Sequence, residues 1–108
     1  MLDLVIRKQS DIELLCEQYG VRRLWLFGSA TKGTWNSATS DLDFIVDLGT
    51  YEHGVSSRFL GLLVALESLF GVQVDLLTHR QVQSDWFRKE VEASRVLVYD
   101  SSSQSVVA

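Results

Sequence analysis

Leu24-Trp25-Leu26-Phe27-Gly28-Ser29, followed across a polar interval by Ser40-Asp41-Leu42-Asp43-Phe44-Ile45-Val46, is the stretch that decides the fold. The four residues before Gly28 are all apolar, the pattern of a strand covered on both faces. That strand stops abruptly at Gly-Ser, where a glycine lets the main chain approach a ligand closely and leaves backbone N–H groups and a hydroxyl at the sheet's end. From Ala30 to Ser40 the residues are small and polar and follow neither structural period, which predicts a loop with room for one helical turn. Asp41, Asp43 and Ile45 then alternate with Leu42, Phe44 and Val46, predicting a strand over 41–48 with two distinct faces.

Upstream, Ser10 and Glu13 have the spacing of a capping box, and Ile12, Leu15, Cys16 and Tyr19 repeat at helical intervals up to a stop at Gly20. Downstream, Phe59, Leu62, Leu63, Leu66, Leu69 and Phe70 form the strongest helical stripe of the chain, opened by Ser56 or Ser57 and closed by Gly71. Val72 to Leu77 alternates as a third strand, Ser84 is placed to cap a short helix carrying Trp86, Phe87 and Val91, and Val96 to Tyr99 reads as a last strand. The order predicts one α/β (α+β) domain over residues 1–100, a small mixed β-sheet with helices mainly on one face. Strand pairing does not follow from chain order. The tail, 101–108, has too little apolar surface to offset its ordering entropy and is expected to be mobile.

A length of 108 residues with 46% apolar content allows one small core, so a cleft enclosed on all sides is hard to build without a partner or a second copy. With a formal charge of -4 and scattered basic residues there is no broad cationic face, which argues against long nucleic acids as partners. Cys16 is the single cysteine, so an intrachain disulfide or a cysteine metal cluster is excluded and a cytoplasmic address is expected. The first residues do not read as a signal peptide, and no apolar run reaches the roughly 18 residues of a membrane span.

Asp41 and Asp43, two apart on a strand, send their carboxylates from the same face, where like charges raise each other's pKa. A hard cation such as Mg²⁺ relieves that conflict, since it takes oxygen ligands from a few carboxylates, waters and phosphates. The bland reading is a polar strand start, but Asp43 lies between Leu42 and Phe44, where an unpaired carboxylate costs several kcal/mol at roughly full burial. Asp75 repeats the anomaly inside Val72-Gln73-Val74-Asp75-Leu76-Leu77; it is either an edge-strand charge or a third carboxylate for two-metal phosphoryl chemistry.

Leu26-Phe27-Gly28-Ser29 with eleven residues between Ser29 and Asp41-Leu42-Asp43 resembles the Gly-Ser to Asp-x-Asp signature of the DNA polymerase β-like nucleotidyltransferases. Within that superfamily the chain, from its first helix through Val74-Asp75-Leu76-Leu77 to Val98-Tyr99, looks most like the minimal nucleotidyltransferases. These are antitoxins of toxin–antitoxin pairs whose toxin is a helical HEPN ribonuclease. The resemblance implies the polymerase β-like fold. It also implies Mg²⁺, as two ions, held by Asp41, Asp43 and Asp75, with Asp75 helping to deprotonate the acceptor. Gly28, Ser29, Lys32 and Ser40 would attend the nucleotide. The implied reaction is transfer of AMP from ATP to a tyrosine hydroxyl of the HEPN partner, in a homo- or hetero-oligomer. One departure stands out: many relatives carry an arginine shortly after Gly-Ser, where this chain has Ala30-Thr31-Lys32-Gly33. A lysine is a point charge without arginine's paired donors.

Two rivals follow. A binding module of the same fold would neutralise a partner without turnover, and a nucleotide-sugar glycosyltransferase would also use an Asp-x-Asp motif but needs a larger domain. His53 and His79 have no second ligand at metal spacing. Trp25 and Trp86 are expected to pack, while Trp35, in the polar loop, is a candidate to stack on a base. Asp47 shares the Asp43 face by alternation but lies past the pocket, and Arg22-Arg23 and Arg88-Lys89 are expected to be solvated or to meet a partner.

Overall fold

The computed structural model describes residues 3–36, 38–50, 52–82 and 85–102. Its centre is β1 (Arg23–Phe27), which pairs antiparallel with β2 (Leu42–Asp47) on one side and with β4 (Val96–Asp100) on the other. β3 (Val74–Thr78) runs parallel to β2 at the edge, giving the order β3-β2-β1-β4. Parallel neighbours need a crossover, and α4 (Val55–Phe70) supplies it.

The apolar run of β1 is explained by two layers. Leu24 and Leu26 face one side of the sheet, where they pack with Leu42, Phe44 and Val46 under Leu62 and Leu66 of α4 and Ile12 and Cys16 of α2 (Gln9–Gln18). Most of these side chains have no exposed surface, and burying each leucine contributes about 2 kcal/mol. Trp25 and Phe27 face the other side, a smaller cluster with Ile45, Val82 and Val91, the last from α5 (Asp85–Ser94). Helices thus lie mainly on one face, with α5 the exception that covers part of the second.

Helix ends depart from expectation. A short α1 (Asp3–Arg7) runs almost directly into α2, so the residue at the N-cap is Lys8, with no side-chain cap, and Ser10 lies inside the first turn. Lys8 already offers its carbonyl to the Ile12 N–H at 2.9 Å, which leaves no helix end for a Ser10–Glu13 box to close. α4 likewise starts at Val55, behind Gly54 and ahead of Ser56. Its end is as expected: Gly71 has φ of 67° and donates its N–H to the Glu67 carbonyl at 2.8 Å. β3 begins at Val74, because 71–73 form the turn out of α4. The expected Ser84 cap and most of the expected mobile tail, 103–108, lie outside the described residues.

Candidate active site

The register of the sheet brings the acidic residues together. Phe27 is opposite Asp43 in the antiparallel ladder, and Asp43 is opposite Asp75 in the parallel one. Directly paired residues project to the same face, so Asp43 and Asp75 share one face at the end of the sheet where β1 finishes. Gly28 follows Phe27 at once and introduces α3 (Ser29–Lys32). Its φ of 74° and ψ of −150° belong to a region reserved for glycine, and a Cβ at this position would run into the Asp43 carboxylate. Backbone conformation and close approach therefore both require glycine here. The turn is held by Thr31, whose N–H and hydroxyl both donate to the Gly28 carbonyl, at 3.1 and 2.8 Å.

The loop between α3 and β2 is fastened rather than open. Trp35, half-buried against the main core, donates its indole N–H to the Asp41 carbonyl at 3.1 Å and so fixes the start of β2. Trp35 thereby fastens the loop as well as lying in it. Ser40 accepts the Asn36 N–H on its hydroxyl at 3.1 Å and donates its own N–H to the Asn36 carbonyl at 2.8 Å, closing the loop on itself.

Electrostatics single out Asp43. Burial, then the charge of Asp75, then that of Asp41, push its carboxyl up to about 6 from an ordinary value near 3.8. Asp41 and Asp43 are half-buried and Asp75 is exposed, so the three acids run from the protein interior out to solvent. Among the described residues no three or more His, Cys, Asp or Glu side chains are grouped closely enough to hold a metal ion by themselves. In chemistry the acids suit a hard divalent cation that draws its other ligands from water or phosphate: oxygen donors only, one of them desolvated and crowded by like charge. Lys32 is exposed at the end of α3, and no ion pair among the described residues involves it.

Residues outside this end of the sheet sort differently. Asp47 pairs with Arg23 at the far end of β2, accepts the Gly49 N–H at 2.8 Å and lies 3.7 Å from His79. His53 is exposed. Trp25 packs, but Trp86 does not: it is 72% exposed, because the buried stripe of α5 runs through Phe87 and Val91 and leaves position 86 outside it. Arg88 bonds Asp85 at 3.0 Å. Two residues without a motif matter for placement. Glu67 of α4 accepts the Val74 N–H at 3.4 Å, tying the strand that carries Asp75 to the crossover helix. Arg58 donates to the carbonyls of Tyr19, Gly20 and Leu48, joining three elements. Neither could be found from spacing, since each bond joins segments distant in the chain.

A mixed four-stranded sheet thus ends in a glycine turn beside the paired acids Asp43 and Asp75. Residues 9–98 match the nucleotidyltransferase domain family, and the chain belongs to that family. It is of the minimal type. A protein of Methanocaldococcus jannaschii, proposed to be a protein adenylyltransferase, is 30% identical over 94 residues, which are 87% of this chain and 91% of that protein. A solved structure described as that of a proposed minimal nucleotidyltransferase superposes with a TM-score of 0.72 at 27% identity, covering 89% of this chain and 95% of its own. The same fold recurs at 19% identity and a TM-score of 0.60, over 95% of this chain and 78% of the other, in a Shewanella oneidensis complex of a tri-AMPylated HEPN toxin with its MNT antitoxin. The fold-class expectation and the family expectation are both met.

Proposed function

We propose that this nucleotidyltransferase transfers AMP from ATP to a hydroxyl, that of a tyrosine, on a helical HEPN-type partner, and acts as that partner's antitoxin in the cytoplasm. The carrying observation is the crowding of Asp43 by Asp75 and Asp41 directly against the Gly28 backbone. Support for the protein acceptor comes from the adenylyltransferase assignment of the M. jannaschii relative, and for the partner from the AMPylated toxin in the S. oneidensis complex. A neighbouring structure of a toxin–antitoxin pair with AMP-PNP, 22% identical, supports a nucleoside triphosphate as substrate.

In this reading Asp41, Asp43 and Asp75 hold Mg²⁺, which when bound neutralises triphosphate charge and lowers the barrier to attack at the α-phosphorus. The Gly28–Ser29 turn receives the phosphates, because the missing Cβ lets them come up to the main chain. Asp75, the exposed acid, meets the incoming hydroxyl and takes its proton as the new oxygen–phosphorus bond forms and the bond from the α-phosphorus to the bridging oxygen breaks, releasing pyrophosphate. Ser40 and Trp35 hold Asp41 in place from behind, and Lys32 adds a mobile positive charge at the rim. The alignment of hydroxyl and α-phosphate supplies much of the acceleration.

A second reading, binding without turnover, is favoured by Lys32 standing where many relatives have arginine. Labelled ATP separates the two. With Mg²⁺, α-labelled ATP and the protein encoded by the neighbouring gene, wild type should label that protein and Asp41→Ala/Asp43→Ala should not. Equal labelling by the double variant, or none by wild type alongside tight association, would replace the enzymatic reading with the binding one.

A further inference from the structure

On the face of the sheet that carries Asp43, but toward the other end of the strands, a cleft of about 340 Å³ lies between β1, β2 and α5. Four residues along β2, roughly 13 Å, separate Asp43 from Asp47, which lines this cleft. Val91 and Ile45, which line the cleft, belong to one apolar cluster with Phe27 and Phe87. Trp25 and Ile45 form its floor, and the guanidinium groups of Arg23, Arg88 and Arg95 surround it, in a chain whose net charge is -4.

The commitments of these groups differ. Arg88 is bonded to Asp85 at 3.0 Å, and Asp47 is occupied by the Gly49 N–H at 2.8 Å. Arg23 approaches Asp100 only to 3.9 Å, beyond hydrogen-bonding length. Arg95 stands over the Trp25 ring with its guanidinium carbon 4.6 Å from the centroid. Among the described residues, then, neither Arg23 nor Arg95 donates a side-chain hydrogen bond. Two guanidinium forks that make no side-chain hydrogen bond among the described residues, Arg23 with only the long ion pair to Asp100, stand beside an aromatic floor and can fork onto a phosphate. An arginine plane resting on an indole is also a surface on which a nucleobase stacks. Glu92 is the remaining acid of the lining.

We propose that this cleft is a second nucleotide site, which takes a nucleoside monophosphate with its phosphate on Arg23 and Arg95 and its base against the Trp25–Arg95 stack. The nucleotide can come from two sources, free AMP or a nucleotide already joined to the acceptor protein. The second source rests on the reading of the preceding subsection: the cleft would then hold the unit added last while the next is transferred.

Equilibrium dialysis of the full chain against labelled AMP, without divalent metal, tests the site itself. Wild type and Asp43→Asn should bind alike, Arg23→Gln/Arg95→Gln should lose at least about tenfold in affinity, and Arg95→Lys, which keeps the charge without the fork, should fall between. Circular dichroism checks that each variant is folded, and Arg95→Lys carries the test if the double variant is not. No AMP binding, binding lost in Asp43→Asn but kept in the arginine variants, or inorganic phosphate binding as tightly as AMP would each overturn the proposal. Mass spectrometry of the acceptor after incubation with ATP identifies the source. Single additions by the arginine variants, where wild type makes several, point to an attached nucleotide; unchanged additions with lost AMP binding point to free AMP. An acceptor left unmodified by wild type counts against the proposed transfer reaction, whereas the dialysis result stands apart from it.

Discussion

Replacing Asp43 by asparagine should make the metal-free protein more stable, not less. In the folded chain burial, Asp75 and Asp41 push the Asp43 carboxyl up to about 6, against about 3.8 when unperturbed. A carboxyl with a raised folded pKa contributes its stability below the unfolded value and loses it as pH rises through the folded one. The charged form is thus a burden at neutral pH. A shift of about two units corresponds to at most ~3 kcal/mol, and because Asp43 is only half-buried, solvent screening reduces this to about 1 kcal/mol. For a domain of this size that is a rise in Tm of roughly 4–8 °C. Thermal unfolding of wild type and Asp43→Asn in EDTA should show the gain at pH 7.5 and its disappearance below about pH 3.8, where the carboxyl goes neutral in the folded and the unfolded chain alike. Mg²⁺ should then stabilise wild type and leave the variant unmoved. A variant less stable than wild type at pH 7.5, or a gain of the same size at both pH values, would refute the reasoning, because the charge at position 43 would not be the cause.

Gly28→Ala should cost about 1–3 kcal/mol in urea unfolding, since the backbone there is a glycine conformation and the new methyl meets the Asp43 carboxylate. Leu66→Ala, at a position with no exposed surface, should cost about 2–5 kcal/mol in the same assay while leaving any nucleotide affinity of the folded fraction intact. Cys16, whose thiol is pushed up to about 12 by burial and then by Glu13 and Glu17, should not react with a thiol reagent at pH 8 until the protein is unfolded. Trp35→Phe keeps the ring against the core but removes the bond to the Asp41 carbonyl; it should lose about 1 kcal/mol of stability and weaken Mg²⁺·ATP binding more than Leu66→Ala does.

The sequence is most legible where a residue's environment is dictated by its own neighbours. The all-apolar Leu24–Phe27 run announces a strand buried on both faces because both of its faces do meet a core. The stripe from Phe59 to Phe70 announces α4, and Asp43 is conspicuous because it interrupts an apolar strand. What escapes depends on geometry between distant segments. The Ser10 cap fails because α1 delivers the chain already turning, and Trp86 stays outside because one residue of phase decides which side of α5 is buried. The pairing of Asp43 with Asp75 needs the strand order, which alternation cannot supply. The cleft is lined by Arg23 at the start of β1 and by Arg95 just before β4, whose backbone the register sets toward the other end of β1; Arg95 takes part because its guanidinium reaches over Trp25, which spacing does not reveal.

In the proposed function the acids at 41, 43 and 75, together with the turn at Gly28, form one site for a divalent cation and a nucleoside triphosphate. Electron paramagnetic resonance of Mn²⁺, added with a non-hydrolysable ATP analogue, reads that site directly. Wild type should bind the Mn²⁺–nucleotide complex, and Asp43→Asn and Asp75→Asn should each weaken it by at least about tenfold while remaining folded. An unchanged Mn²⁺ signal in both variants would contradict the account.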